Sequence, residues 1–197
     1  MDKLTEEEYQ RIISFIFETG QLKRVKRSGW WVTGMREPES VSDHSHRASI
    51  IAYLLGRLEG ADAYKAALTC ALHDLPEARI NDLHKMGQRY IDYEAAEKVV
   101  LDEQLKDMPV SIAAEIEALV GSYNNDSDKE GIIARDADLL ECIFQSKEYL
   151  EIGYKDSQRW IDKMKNLLIT DSAKKLYSLV ENADVHAWHK NLSKVQR

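Results

Sequence analysis

The sequence predicts an all-α fold, a single compact helical domain around a polar centre, and three observations carry that expectation. Nine glycines and three prolines in 197 residues come to about half the usual share of roughly 12 %, too few turn formers for a many-stranded fold. Apolar residues recur at the three- and four-residue spacing of a helix face along most of the chain. Side chains that cap helices stand ahead of several of these runs.

Thr5 and Glu8 form a capping-box pattern, and Ile12, Ile13, Ile16 and Phe17 follow at helical spacing up to a stop at Gly20. Residues 21–41 (QLKRVKRSGWWVTGMREPESV) read as an irregular, basic and aromatic connector. Ser42 is expected to cap a helix whose inward positions are Ala48, Ile51, Ala52, Leu55 and Leu58, ending at Gly56 or Gly60. Asp62 opens a third helix through Ala66, Ala67, Cys70 and Ala71, and Pro76 limits it at His73–Asp74. Residues 77–92 read as a loop with a short helix. Helices are expected over 93–106 and from Ser111 to Tyr123, separated by Pro109. After the turn NNDSDKEG comes a long helix over 130–150, with Ile132, Ile133, Leu139, Cys142, Ile143 and Ser146 on its inner stripe. Helices near 157–169 and 171–188 complete the chain, and the tail KNLSKVQR is expected to fray. No repeat, low-complexity tract or linker divides residues 1–197, so one domain is expected, with a core over about 22–150 and C-terminal helices over about 157–188.

A chain of this length buries roughly 70 % of its unfolded surface, enough for one sizeable core. With 27 Lys and Arg against 34 Asp and Glu, the formal charge is −7, which argues against a broad basic face for a nucleic-acid polymer. A small anionic substrate stays open provided a local cation meets it. The two cysteines, Cys70 and Cys142, lie in apolar stretches and read as buried free thiols of a reducing, cytoplasmic compartment. The acidic start MDKLTEEEYQ has no secretory pattern, and no apolar run approaches the roughly 18 residues of a membrane span.

The chemistry is expected at His44, the adjacent pair His73–Asp74, and Asp138. All four lie in apolar helical segments, where polar side chains need a reason. Two imidazoles and two carboxylates suit one divalent ion, namely Mn, Co, Mg, Fe, Ni or Zn. The same residues would also serve as a packed imidazole and a helix-end ion pair, and spacing alone leaves both readings open. His46, His84, His186 and His189 read as helix, loop and surface histidines.

The blocks LKRVKRSGWWVTGMREPESVSDHSHRAS, ALTCALHDLPEARINDLHK and ARDADLLECIFQSKEY closely resemble the HD-domain 5′-deoxynucleotidases, the YfbR-like members of the HD phosphohydrolase superfamily. The likeness runs from about Leu22 to Tyr149. It implies an all-helical HD domain, a homodimer, and metal-dependent release of phosphate from deoxyribonucleoside 5′-monophosphates. Carried over by motif, the metal ligands fall on His44, His73, Asp74 and Asp138, the catalytic acids on Glu77 and Asp82, and the substrate-side tryptophan on Trp30. Some bacterial members have an arginine just before that tryptophan; here Gly29 stands there, and Arg27 is the nearest arginine to clamp a phosphate. Superfamily members with two metals carry extra histidines between the HD pair and the last aspartate. Only His84 lies there, which implies one ion. The ligand set alone also fits hydrolysis of cyclic nucleotides or guanosine tetraphosphate, or an idle nucleotide-binding module. The RSGW and ESVSDH blocks favour the monophosphatase, and intact Glu77 and Asp82 speak against an idle site.

Overall fold

The computed structural model describes residues 3–190 and 192. Among them are nine α-helices and no strand, only an isolated bridge between Lys26 and Ser40. In chain order the helices are α1 (Glu6–Thr19), α2 (Val41–Leu58), α3 (Ala63–Leu72), α4 (Glu77–Ile80), α5 (Tyr93–Leu105), α6 (Val110–Asn125), α7 (Lys129–Glu151), α8 (Gln158–Met164) and α9 (Asp171–Val180). The all-α expectation holds.

The Thr5–Glu8 capping box of α1 forms as expected. Its apolar stripe does not turn inward: Ile13, Ile16 and Phe17 are exposed, and Phe15 is buried. Polar anchors set this orientation. Arg11 donates to the Lys106 and Gln104 carbonyls, and Glu18 accepts from Arg79 and Gln104.

The cap of α2 is Ser40 rather than Ser42, because only Ser40 has an acid three residues on. Its hydroxyl accepts from Asp43 N–H while the Asp43 carboxylate accepts from Ser40 N–H. The inward face is Val41, His44, Ala48, Ile51, Ala52 and Leu55; Leu58 is exposed, since the last turn leaves the core. Gly56 does not end the helix. It lets α2 approach α3 so closely that a Cβ there would meet Ala63 Cα at 2.6 Å, while Gly60, at φ +64°, makes the reversal. On α3 the buried face is Ala63, Ala66, Thr69 and Cys70, whereas Ala71 is exposed.

Helix α7 is the central strut, packed on α2, α3, α6, α8 and α9. Buried Asp136 ties it to the chain before α9 by accepting from Ile169 N–H and from the N–H and hydroxyl of Thr170. The last helix is shorter than expected and stops at Val180. Beyond it the Asp184 side chain accepts from His186 N–H, a local turn that competes with helix. Apart from Lys190 and Leu192, the tail expected to fray lies outside the described residues.

Two apolar clusters result. The larger joins Ala48, Ile51 and Leu55 of α2 to Cys70, Ile133, Leu140 and Ile143. The smaller joins Val41, Leu75, Phe15, Leu101 and Ile116. His44 lies one turn from both Val41 and Ala48, and Asp74 between Cys70 and Leu75, so the polar centre sits on the seam.

Gly56→Ala tests that close approach. Helix propensity alone favours Ala by about 1 kcal/mol, but the overlap with Ala63 is expected to dominate and destabilise the protein by about 1–3 kcal/mol. Urea melts would show the sign.

Candidate functional site

Helices α2 and α7 and the turn after α3 present the expected metal ligands. His44 stands in the first turns of α2, oriented by the Ser40 cap. His73 is the first residue past α3, and the chain then bends tightly, with Glu77 N–H donating to Asp74 C=O at 3.0 Å. Asp138 comes from the middle of α7. The four converge: His44 Nε2 is 3.1 Å from Asp138 Oδ1 and 3.9 Å from Asp74 Oδ2, and His73 Nε2 is 3.1 Å from Asp74 Oδ2. Donors bound at about 2.1 Å on adjacent corners of an octahedral ion lie about 3 Å apart, so these spacings suit a shared cation.

The other ring nitrogens and the second oxygen of Asp138 are engaged. His73 Nδ1 lies 2.6 Å from the Cys70 carbonyl and His44 Nδ1 2.5 Å from Glu141 Oε2. Both acceptors take Nδ1–H, so each ring, when neutral, presents its Nε2 lone pair to the centre. The Tyr123 hydroxyl donates to Asp138 Oδ2 at 2.7 Å. His44 is fully buried, and its Nε2, though near Asp138, has no aligned hydrogen-bond partner. An orphaned buried nitrogen beside carboxylate oxygens is the arrangement a cation resolves. His44, His73, Asp74 and Asp138 therefore fit a divalent ion.

The field at this centre favours positive charge. Burial raises the Asp74 carboxyl, but His73, Arg27 and His44 outweigh it and bring it down to about 2. Desolvation opposes charge on Asp138 too, yet His44, His73 and Arg27 hold it far below the usual carboxylate range. Burial and Arg27 oppose charge on His44, yet Glu141 and Asp138 prevail and lift its imidazolium to about 10.

Arg27 comes from the connector and enters this centre. Its Nη1 donates to Asp74 Oδ2 at 3.5 Å, and its Nη2 lies 3.9 Å from Asp138 Oδ1 and 3.6 Å from Cys142 Sγ. Both cysteines are buried and free; Cys142 also forms part of the wall around Arg27. Glu77, opening α4 behind Pro76, is buried with Oε2 unpartnered, and burial together with Asp74 raises its carboxyl well above the ordinary range. Asp82 accepts Ser28 N–H at 2.6 Å. The residue before it, Asn81, adopts φ 63°, ψ 165°, a conformation costing roughly 1–3 kcal/mol outside glycine. Tyr93 holds that kink by donating its hydroxyl to Asn81 C=O.

Trp30 is buried, edge-on to Tyr149 and tilted against Trp160 with ring centroids 5.1 and 5.2 Å away, while Trp31 is exposed. Trp160 also explains Gly29: a Cβ there would meet its ring at 3.0 Å. His46 is exposed, and His84 Nδ1 accepts Gly87 N–H. Reading the sequence missed Glu141, Arg47, Tyr123 and Glu39. Glu141 and Arg47 each follow a ligand by three residues, the one signal that could have marked them.

A family profile described as an HD domain matches residues 19–180. The human protein named 5′-deoxynucleotidase HDDC2 is 28 % identical over 73 % of this chain and 71 % of its own length. Its counterpart from Danio rerio is 31 % identical over 72 % of this chain and 70 % of its own. A solved structure of a conserved hypothetical protein from Pyrococcus furiosus superposes with TM-score 0.73 at 32 % identity, covering 87 % of this chain and 99 % of that one.

Glu39 yields a pH test. Burial and the nearby Glu141 raise its carboxyl from 4.5 to about 7, although His44 and the Trp30 N–H pull the other way. The protonated group therefore favours the fold at low pH, and that stability is lost as pH rises through about 7. Glu39→Gln can still accept from Trp30 Nε1. It should flatten the fall in thermal midpoint between about pH 5 and 8 in chelator; an unchanged slope would refute the assignment.

Proposed function

The chain belongs to the HD-domain 5′-deoxynucleotidase family, and we propose that it is a metal-dependent phosphomonoesterase releasing phosphate from deoxyribonucleoside 5′-monophosphates. The observation that carries this reading is one buried centre where two imidazoles and two carboxylates face one another beside a guanidinium and a second pair of acids. His44, His73, Asp74 and Asp138 would hold a single divalent ion, drawn from Mn, Co, Mg, Fe, Ni and Zn. When bound, such an ion supplies Lewis acidity toward a phosphate oxygen and lowers the pKa of water.

The chain's own residues do the rest. Arg27 presents a planar donor fork that orients the phosphate. Asp82, fixed by Ser28 N–H, takes the proton of the attacking water. As water adds to phosphorus, the bond to the sugar 5′-oxygen breaks, and buried Glu77 protonates that oxygen. The products are a nucleoside and inorganic phosphate. Trp30 supports the segment that carries Arg27, its N–H held by Glu39 at 2.9 Å.

A homodimer belongs to the same reading, supported by a continuous exposed apolar face of Ile50, Tyr53, Leu54 and Leu58 on α2 with Tyr64 and Leu68 on α3. Buried free thiols support a cytoplasmic setting. No helix among the described residues is long and apolar enough to cross a membrane.

Phosphate release from deoxy- and ribonucleoside monophosphates, cyclic nucleotides and guanosine tetraphosphate, with Mn, Co or Mg added, tests the proposal. Turnover confined to the cyclic or tetraphosphate substrates, or absent throughout, would overturn it. Asp138→Ala is expected to lose bound metal and activity together. Glu77→Gln should keep its metal while kcat falls about 10²- to 10⁴-fold.

A further inference from the structure

We propose that Glu141 and Arg47 are positioning residues that hold His44 in the one tautomer able to bind the metal. This rests on the metal centre proposed above and extends it to groups that touch neither ion nor substrate. For His44 Nε2 to offer a lone pair, the ring proton must sit on Nδ1. Glu141 enforces that: its Oε2 lies 2.5 Å from Nδ1, and both side chains are fully buried. The same contact closes the Nδ1 side of the ring to a cation. Glu39, His44 and Glu141 do form a cluster of possible ligands, but 2.5 Å between nitrogen and oxygen leaves no room for an ion.

Arg47 divides the labour of that carboxylate. Its Nε and Nη2 both donate to Glu141 Oε1, at 2.9 and 2.7 Å, which leaves Oε2 for His44. The guanidinium is itself fixed, with Nη1 donating to Glu148 Oε1 and Nη2 to Gln145 Oε1, each at 2.7 Å. His44 and Arg47 are one turn apart on α2, and Glu141, Gln145 and Glu148 succeed one another on one face of α7. The ion-pair chain therefore runs along the α2–α7 seam from the surface to the ligand. A charged acceptor behind an imidazole also makes its other nitrogen a stronger donor.

Metal affinity, measured by titrating the chelator-treated full chain with Co²⁺, separates this from a merely structural role. Glu141→Gln keeps a hydrogen-bond acceptor but loses the charge, and should weaken Co²⁺ binding about tenfold. Glu141→Ala should weaken it about a hundredfold and shift the cobalt absorption bands. Arg47→Lys should fall between wild type and Glu141→Ala. At saturating Co²⁺ the KM for a deoxynucleoside monophosphate should stay unchanged. Wild-type affinity and spectrum in Glu141→Ala would overturn the assignment. So would a loss of affinity matched by loss of helical signal in chelator, which makes Glu141 structural. A wild-type chain that binds no metal would instead remove the metal centre itself.

Discussion

Two imidazoles and two carboxylates, linked by contacts of 3.1 to 3.9 Å inside an apolar seam, are the constraint on which the rest of the structure depends. Buried charge is expensive unless it is paired and hydrogen-bonded, and the surrounding fold meets that requirement group by group. Tyr123 donates to Asp138, Cys70 C=O and Glu141 accept from the two imidazoles, and Arg27 brings a permanent cation to Asp74 and Asp138. The helices are arranged to deliver these partners as much as to bury apolar surface. The α2–α7 crossing shows both at once, with Leu55, Leu140 and Ile143 packed in one cluster and the Arg47–Glu141 pair beside it.

The same logic resolves the conflict between an acidic chain and an anionic substrate. A net charge of −7 describes the average surface. At the centre, Arg27 and the divalent ion that the four side chains would hold supply the positive charge, and Arg27 with His73 and His44 keeps Asp74 near 2 despite its burial. What an approaching phosphate meets is this local field.

Residues that break an apolar pattern were legible in the sequence: His44, the His73–Asp74 pair and Asp138 each interrupt a helix face that is otherwise core. Local chemistry was legible too, as in the Thr5–Glu8 box. What was not legible is a choice made by tertiary neighbours. Ile13, Ile16 and Phe17 have the spacing of a buried stripe, yet Arg11 and Glu18 fix α1 with another face inward. Trp30 and Trp31 are equal in hydropathy, and only the arrival of Trp160 against Gly29 decides that Trp30 is the buried one. Glu141 resembles any helix acid until α2 brings His44 and Arg47 against it.

The proposed metal ligands and the groups assigned to substrate also differ in how they are held, and the difference follows from what each would do. His44 and Asp138 come from helices of 18 and 23 residues, and His73 from the end of a third. Such frames keep donor spacings to the tolerance a metal ion demands. Arg27, Glu77 and Asp82 come from a short irregular connector, a single helical turn and the residue after a strained Asn81. Their positions are set by individual hydrogen bonds, Ser28 N–H to Asp82 and Tyr93 O–H to Asn81 C=O. Groups that follow a phosphate from monoester to free anion need room to adjust, and short segments pinned at one or two points provide it. Strain at Asn81 fits this division, because a kink there aims Asp82 toward the Arg27 segment where a regular continuation of α4 would carry it away.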